Sequence, residues 1–278
     1  MGKTIGVIQA RVGSERFPGK VMQPLPVDSD VPMIMRIVQN AERIPEIDQV
    51  IVATTIDESD QPLVEFCERN RISVFRGSVE NVLSRYINAA ESLNADTVIR
   101  LTGDNPMLDA DAMSACIQYH RAEGNDYTNT KGLPVGMNCE VISANALLSL
   151  SKQMHKLGRE EKEHVTLRFL NDRRFTTSTM KVELPKALAA IRLTVDYVSD
   201  YLLINALFQL QMKSDKTGAE FIEEVRMARP WLFLVNRDNV QKKQFDNFAE
   251  EKEEAVAILN RYDMTRIASF LEKSNEEH

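Results

Sequence analysis

The stretch TIGVIQARVGSERFPGK, residues 4–20, decides the fold that we expect for this chain. Its first part, residues 4–10, is a largely apolar run of the length of a buried strand, and its Ile and Val residues favour that state. Its second part is a loop with two glycines that carries three cations, Arg11, Arg16 and Lys20. The sequence therefore places a cationic loop directly after the first strand.

Short apolar runs recur along the first half of the chain and alternate with amphipathic stretches. We expect strands over residues 4–10, 49–55, 72–75 and 97–102. We expect helices over residues 33–41 and 79–93, where apolar residues recur at i, i+3, i+4 and i+7. This alternation predicts an α/β protein, with a mostly parallel mixed sheet between helices in a Rossmann-like three-layer α/β/α fold. Such sheets bind ligands at the carboxyl ends of their strands.

The second half of the chain is less regular. We expect strands over residues 138–142 and 176–182, with antiparallel pairing left open, and another buried strand over 191–195. Residues 1–240 are expected to form one domain. Residues 241–278 are expected to form a charged, helical C-terminal extension, which either packs on that domain or offers a surface to a partner. Packing on the domain is the preferred interpretation.

Composition narrows the class of protein. The chain has 278 residues and a net charge of −7, and 43% of its residues are hydrophobic and 27% charged, as in a globular enzyme. The negative charge disfavours nucleic acid as a partner. No apolar run is long enough to cross a membrane, and the N-terminus has no signal-peptide pattern. Three cysteines without C-x-x-C spacing indicate a cytoplasmic location.

The cationic loop is not a P-loop, because that motif requires four residues between its glycines and a hydroxyl residue after the lysine. Here five residues separate Gly13 from Gly19, and Val21 follows Lys20. Arginine can grip phosphate with two parallel hydrogen bonds, and lysine offers a compact charge. Phosphate binding and an ordinary solvated surface loop both remain open from the loop alone.

Two further stretches end a predicted strand in an aspartate. Asp104 lies in RLTGDNP, residues 100–106, and Asp196 lies in RLTVDY, residues 192–197. Each carboxylate could simply cap a turn, but carboxylates at this edge of a sheet are also the ligands that Mg²⁺ takes beside substrate phosphates. Two such aspartates and a cationic loop predict a site for Mg²⁺-assisted attack on a nucleoside triphosphate.

The loop also carries a resemblance. IQARVGSERFPGK is similar to the N-terminal signature A-R-x-x-S-x-R-x-P-G-K of the sugar cytidylyltransferases, which include the CMP-Kdo and CMP-acylneuraminate synthetases. The chain resembles most the SpsF-like branch of spore coat polysaccharide biosynthesis. The resemblance covers about residues 4–240. Its further stretches are VIVATTIDESD (50–60), VFRGSVENVLSRY (74–86), RLTGDNPMLD (100–109), EVIS (140–143), EKEHVT (161–166) and RLTVDYVSDY (192–201).

The resemblance implies a cytoplasmic enzyme with the nucleotide-diphospho-sugar transferase fold over residues 1–240. It implies Mg²⁺-dependent transfer of a cytidylyl group from CTP to a sugar acid or related acceptor, with release of pyrophosphate, for surface polysaccharide assembly. It also implies a homodimer, with residues 130–185 as the acceptor-side and dimerisation subregion.

The same resemblance implies roles for single residues. The residues implied to bind the nucleotide are Ala10, Arg11, Ser14, Arg16, Lys20, Arg76, Ser78 and Asp104, with Arg76 and Ser78 on the cytosine side. The residues implied to be catalytic are Lys20, Arg11 and Arg16. The residues implied to bind Mg²⁺ are Asp104 and Asp196. The residues implied to face the acceptor are Glu140, Glu163, His164 and Thr166.

Two other functions remain open at this point. A glycosyltransferase of GT-A-like fold would consume a nucleotide-sugar, but it would not need a lysine at a leaving pyrophosphate. A non-catalytic protein could keep the fold and bind the nucleotide without turnover. Arg85 is also open, because it is either a surface cation or a residue that reaches the nucleotide.

Overall fold

A computed structural model describes residues 2–240 and 248–274, and the chain divides into two units between Asn239 and Val240. The first unit contains a seven-stranded sheet in the order β3-β2-β1-β4-β6-β5-β7. The strands are β1 (Thr4–Gln9), β2 (Gln49–Thr55), β3 (Ser73–Gly77), β4 (Thr97–Thr102), β5 (Tyr127–Lys131), β6 (Glu140–Ser143) and β7 (Thr177–Lys181).

The sheet is mostly parallel. Strand β1 lies between β2 and β4, parallel to both, and β2 is parallel to β3. Strand β6 runs antiparallel to β4 and β5, whereas β7 is parallel to β5. The carboxyl ends of β1, β2, β3 and β4 therefore meet at one edge, which is the edge where the cationic loop begins.

Helices cover both faces of this sheet. In the first unit they are α1 (Met33–Glu42), α2 (Gln61–Arg69), α3 (Val82–Ser92), α4 (Ala110–Glu123), α5 (Ala144–Ser149), α6 (Arg159–Glu163), α7 (Leu167–Asn171), α8 (Lys186–Ala189), α9 (Val198–Gln211) and α10 (Gly218–Ala228). Short 3₁₀ helices span Lys20–Met22, Glu58–Asp60, Ser151–Lys156 and Pro230–Leu234.

The hydrophobic core consists of two clusters, one on each face of the sheet. Successive strand residues point to opposite faces, so Val7 and Ile8 of β1 belong to different clusters. Ile8 packs in the cluster that contains α1, α4, α9 and α10, and Val7 packs in the one that contains α3 and α5. The predicted α/β fold with a mostly parallel mixed sheet is confirmed.

The predicted strand over residues 191–195 is wrong. This segment is extended, but it forms a single parallel bridge, between Arg192 and Val135. Pro134 has no N–H to continue the pairing, and Gly136 turns away with φ 99°. The segment is still held at its end, because the Val195 amide donates to the carbonyl of Asp104 at 2.8 Å.

One helix begins later than predicted, and one strand was not predicted. Helix α3 begins at Val82 rather than at residue 79, because the Asn81 side chain accepts a hydrogen bond from the Ser84 amide at 2.9 Å and caps the helix. Strand β5 was not predicted, since its sequence YTNTK lacks the apolar pattern of a strand. Pairing with two neighbouring strands forms it instead.

The second unit is described by itself. It contains α11 (Phe248–Arg261) and α12 (Thr265–Lys273), and the Lys252 ammonium donates to the carbonyl of Ser274 at 2.6 Å. Residues 241–247 and 275–278 of the predicted helical extension lie outside the described residues. Within residues 2–240 and 248–274, no helix is long and apolar enough to cross a membrane.

Candidate active site

The cationic loop leaves the end of β1 in a fixed conformation. The Ala10 amide donates to the carbonyl of Ala53 at 3.2 Å, so the chain stays beside β2 for one residue past the strand. The Gly19 amide donates to the carbonyl of Val12 at 3.0 Å and closes the loop on itself. Gly19 has φ 70°, a left-handed conformation that glycine adopts without strain and that begins the short helix Lys20–Met22.

The Asp60 carboxylate holds the start of this loop next to the end of β2. Its side chain is buried, and one carboxylate oxygen accepts the Val12 amide at 2.6 Å. The other oxygen accepts the Thr54 hydroxyl at 3.0 Å, the Thr55 amide at 3.2 Å and the Thr55 hydroxyl. The end of β2 and the cationic loop therefore share one carboxylate. Asp60 is not among the predicted site residues, because nothing in the stretch TTIDESD, residues 54–60, distinguishes it from Asp57.

Lys20 joins the loop to the two strand-end aspartates. Its side chain is only 10% exposed, and its ammonium contacts Asp104 Oδ2 at 3.2 Å and Asp196 Oδ1 at 3.1 Å. It also donates to the carbonyl of Val195 at 2.6 Å. The structure thus brings together three residues that are distant in sequence, with one cation between two carboxylates.

Asp196 is shared among three cations. Besides Lys20, Arg16 contacts its Oδ1 at 3.1 Å and Arg192 contacts its Oδ2 at 2.8 Å. Burial alone would raise the pKa of the Asp196 carboxyl, but the charge of Lys20 and the hydrogen bonds from Arg192 and Lys20 lower it below its usual value. Asp196 is therefore ionised at neutral pH, as a metal ligand must be.

A second, fully buried carboxylate, Asp200, holds this segment in place. It accepts the amides of Asp196 and Tyr197 at 2.9 and 3.0 Å. It also pairs with Arg192 through Nε and Nη2, at 3.0 and 3.2 Å. Asp200 thus fixes both Asp196 and the arginine beside it, a role larger than the stabilisation of a helix N-terminus that its position in the sequence indicates.

Asp104 is oriented from its own strand end. Its Oδ1 accepts the Thr102 hydroxyl at 2.6 Å, which leaves Oδ2 towards Lys20. Gly103 lies against the start of the cationic loop, where an added Cβ would meet the Ala10 Cβ at 2.8 Å. The glycine therefore lets the two strand ends approach closely.

The remaining loop residues face outward. The Arg11 side chain is exposed and forms no hydrogen bond or ion pair with the described residues. Arg16 lies over the Tyr197 ring, 4.9 Å from its centroid, and Nη1 donates to the Tyr197 hydroxyl at 3.3 Å. Ser14 is held by its amide, which donates to the carbonyl of Val12 at 3.0 Å. The loop thus presents cations on an ordered backbone.

On the predicted cytosine side, Arg76 lies within β3, one residue before its end, rather than after the strand as predicted, and Ser78 follows β3 directly. Arg76 donates to the carbonyls of Thr55 and Asp57 at 3.1 and 3.2 Å, so it wraps the end of β2. The Ser78 hydroxyl accepts the Asn81 amide at 3.1 Å in the turn that leads into α3. Both residues lie at the carboxyl edge of the sheet.

Arg85 is not a surface cation. Only 4% of the residue is exposed, and Nη1 donates to the carbonyl of Ala53 at 3.3 Å, the same carbonyl that accepts the Ala10 amide. Burial lowers the pKa of its guanidinium from the usual value. Arg85 is therefore a buried residue that shares the Ala53 carbonyl with the start of the cationic loop.

The residues predicted to face the acceptor fall into two groups. Glu140 and Thr166 meet, because the Thr166 hydroxyl donates to Glu140 Oε1 at 2.8 Å. Glu163 and His164 are exposed, and no side-chain contact brings either of them to Glu140 within the described residues. The structure therefore brings together half of the predicted acceptor side.

The donor set fits a magnesium ion that the substrate helps to hold. Within residues 2–240 and 248–274, no group of three or more His, Cys, Asp or Glu could enclose a metal by itself. Asp104 and Asp196 offer two carboxylates around a single ammonium. Mg²⁺ in nucleotide-dependent enzymes takes one or two carboxylates and completes its shell with phosphate oxygens and water.

Known proteins are similar to this chain in fold or in sequence. A cytidylyltransferase from Leptospira borgpetersenii serovar Hardjo-bovis superposes with a TM-score of 0.76 at 24% identity, over 88% of this chain and all of that one. The 3-deoxy-manno-octulosonate cytidylyltransferase of Escherichia coli is 31% identical over 52% of this chain and 54% of its own length.

The spore coat polysaccharide biosynthesis protein SpsF of Bacillus subtilis is 36% identical over 212 residues, which are 75% of this chain and 88% of that protein. The family model described as cytidylyltransferase matches residues 5–226, which include the cationic loop and both strand-end aspartates. The resemblance read from the sequence is confirmed, and the chain belongs to the cytidylyltransferase family of nucleotidyltransferases.

Proposed function

We propose that this protein transfers the cytidylyl group of CTP to a sugar acid or related acceptor, with Mg²⁺ and with release of pyrophosphate. One observation carries the proposal: the Lys20 ammonium lies between the carboxylates of Asp104 and Asp196 at the carboxyl edge of the sheet. This arrangement combines a cation for the departing phosphates with two ligands for a metal. Membership of the cytidylyltransferase family supports CTP as the donor.

In this reaction an acceptor hydroxyl gives up its proton to water and attacks the α-phosphate in line, a new P–O bond forms, and the P–O bond to pyrophosphate breaks. Bound Mg²⁺ would polarise the phosphate oxygens and neutralise part of their charge. Arg11, Ser14 and Arg16 bind the triphosphate, and Lys20 stabilises the negative charge that grows on the departing group. Most of the catalysis is positioning and charge neutralisation, since the side chains form no covalent intermediate.

The remaining roles follow the position of each residue. The Ala10 and Arg11 backbone, Arg76 and Ser78 form the cytosine side. The acceptor side contains Glu140, Glu163, His164 and Thr166. We propose that the protein is a homodimer and that it acts in surface polysaccharide assembly. Light scattering coupled to size-exclusion chromatography measures the mass of the particle in solution and so tests the dimer. The three cysteines are free and buried, as expected in the reducing cytoplasm.

The test is Asp104→Asn, with CTP, Mg²⁺ and a panel of 2-keto sugar acids that includes 3-deoxy-manno-octulosonate. We expect pyrophosphate release by the wild type and a loss of at least 100-fold in the variant, because one metal ligand is gone. Asp215→Asn is the matched control, since Asp215 is exposed and outside the site. Unchanged turnover by Asp104→Asn would refute the site, and tighter binding of nucleoside diphosphates than of CTP would favour a glycosyltransferase.

A further inference from the structure

A polar cluster lies within the sheet near the site, on strands β4, β5 and β6. Arg100 of β4 pairs through Nη1 with Glu140 Oε2, directly across the antiparallel ladder. The other oxygen of Glu140 accepts the Tyr127 hydroxyl at 2.6 Å and the Thr166 hydroxyl at 2.8 Å. Both oxygens of this carboxylate therefore have partners within the chain, which makes Glu140 a poor candidate for direct contact with an acceptor.

Only one of the three guanidinium nitrogens of Arg100, Nη1, has a hydrogen-bond partner in the described part of the chain. Its Nε is buried and has no hydrogen-bond partner in the described part of the chain, and Nη2 has none there either. The side chain is 18% exposed, so the cluster opens to the surface. Leaving a buried guanidinium donor unpaired is unfavourable. A ligand that accepts hydrogen bonds from Nε and Nη2 would remove that cost.

Arg192 of the same protein shows what that edge of a guanidinium binds. Its Nε and Nη2 grip the two carboxylate oxygens of Asp200 at 3.0 and 3.2 Å. The equivalent edge of Arg100 has the same two parallel donors and no carboxylate. A planar carboxylate matches this pair of donors better than a hydroxyl does, because it offers two acceptor oxygens at the matching spacing.

Arg100 also lies on the strand that leads to Asp104 of the candidate site. Arg100 and Thr102 lie on the same face of β4, since alternate residues share a face, and about 7 Å separates residues two apart along a strand. Thr102 in turn donates to Asp104, the proposed metal ligand. Arg100 and Asp104 are four residues apart, so at most about 14 Å of extended chain separates their Cα atoms.

We infer that Arg100 binds the carboxylate of the acceptor through Nε and Nη2, and that Glu140 positions Arg100 rather than contacting the acceptor. The hydrogen bonds from Tyr127 and Thr166 disperse the charge of Glu140, which limits its repulsion of a second carboxylate. The ion pair is neutral overall, so the selectivity comes from the paired donors. The inference rests on the proposed function and restricts its acceptor to molecules that carry a carboxylate.

The first test uses the wild-type protein with CTP and Mg²⁺. Each 2-keto sugar acid of the panel, including 3-deoxy-manno-octulosonate, is compared with its methyl ester, which keeps the shape and removes the charge. We expect the ester of an accepted acid to raise KM at least tenfold, which corresponds to about 1.4 kcal/mol. Equal KM values for acid and ester would overturn the inference.

The second test uses Arg100→Gln, with Arg100→Lys as the conservative variant in case loss of the ion pair unfolds the protein. We expect Arg100→Gln to raise the KM for the acid at least tenfold, to leave the KM for the ester unchanged, and to keep the KM for CTP within twofold. Arg100→Lys restores part of the affinity for the acid. A similar loss for acid and ester, or a loss confined to CTP, would overturn the inference.

Binding of CTP, followed by the melting temperature, separates this inference from the proposed function. If CTP binds and sugar phosphates or neutral sugars are cytidylylated while no acid is bound or used, the inference fails and the cytidylyl transfer stands. If CTP neither binds nor releases pyrophosphate with any acceptor, the proposed function fails, and the inference fails with it.

Discussion

Replacement of Lys20 by methionine removes one charge and keeps the length of the side chain. It leaves Asp104 and Asp196 without the ammonium that contacts them at 3.2 and 3.1 Å. Breaking a fully buried ion pair costs about 3–5 kcal/mol, but Asp104 is 29% exposed and Asp196 retains Arg16 and Arg192. We therefore expect a loss of about 2 kcal/mol at pH 7, or about 4–8 °C in melting temperature.

The loss should depend on pH in a defined direction. The folded-state pKa of Asp196 lies below its usual value, so its pairing with Lys20 stabilises the fold fully above about pH 4. This contribution disappears as the pH falls through the lowered pKa and the carboxyl becomes protonated. The destabilisation by Lys20→Met should therefore be greatest near pH 7 and decrease below pH 4.

Urea unfolding at pH 7 and at about pH 3.5 measures both effects, with Lys152→Met as the matched control, since Lys152 is exposed. Pyrophosphate release should fall at least 100-fold in Lys20→Met under conditions where the variant is folded. A variant as stable as the wild type at pH 7, or a stability loss that is the same at both pH values, would refute the assignment of Lys20 as the link between the two aspartates.

Three further changes test the surroundings of Lys20. Asp60→Asn should raise the KM for CTP about tenfold, because an amide has one acceptor oxygen and cannot accept both the Val12 amide and the donors of Thr54 and Thr55; an unchanged KM in a folded variant would contradict this. Arg16→Lys should raise the same KM about threefold to tenfold, measured by initial rates, since lysine cannot form the paired contacts of arginine. Gly103→Ala should lower the free energy of unfolding by about 1–3 kcal/mol in urea, because its Cβ would lie 2.8 Å from the Ala10 Cβ; a neutral result would show that the strand ends can separate.

The fold could be predicted because its signals are local. Continuous apolar runs gave strands β1, β2 and β4, and the apolar face of residues 33–41 gave α1. Prediction failed where long-range pairing decides the structure. Residues 191–195 are apolar enough for a strand, but the loop beside them pairs only at Val135. The polar residues Tyr127–Lys131, in contrast, form a strand because they pair with β6 and β7.

The candidate site likewise contains residues that could be predicted from the sequence and residues that could not. Asp104 and the loop that carries Lys20 could be proposed because they follow parallel strands, whose carboxyl ends meet. Asp196 could be proposed because it ends an apolar run, although that run forms a single bridge rather than a strand. Asp60 and Arg100 could not, because their importance depends on partners that only the folded chain supplies. Asp60 acts through the amide of residue 12, and the Nε of Arg100 is a buried donor without a partner in the described part of the chain.

Two of the three cations of the first loop, Lys20 and Arg16, are paired with a carboxylate of the site. Lys20 and Arg16 already contact Asp196, so the two carboxylates of the site remain close together without mutual repulsion. A triphosphate that enters must take these cations over, and the carboxylates released from them then become available to Mg²⁺. Nucleotide and metal should therefore bind with mutual enhancement, since each supplies the charge that the other displaces.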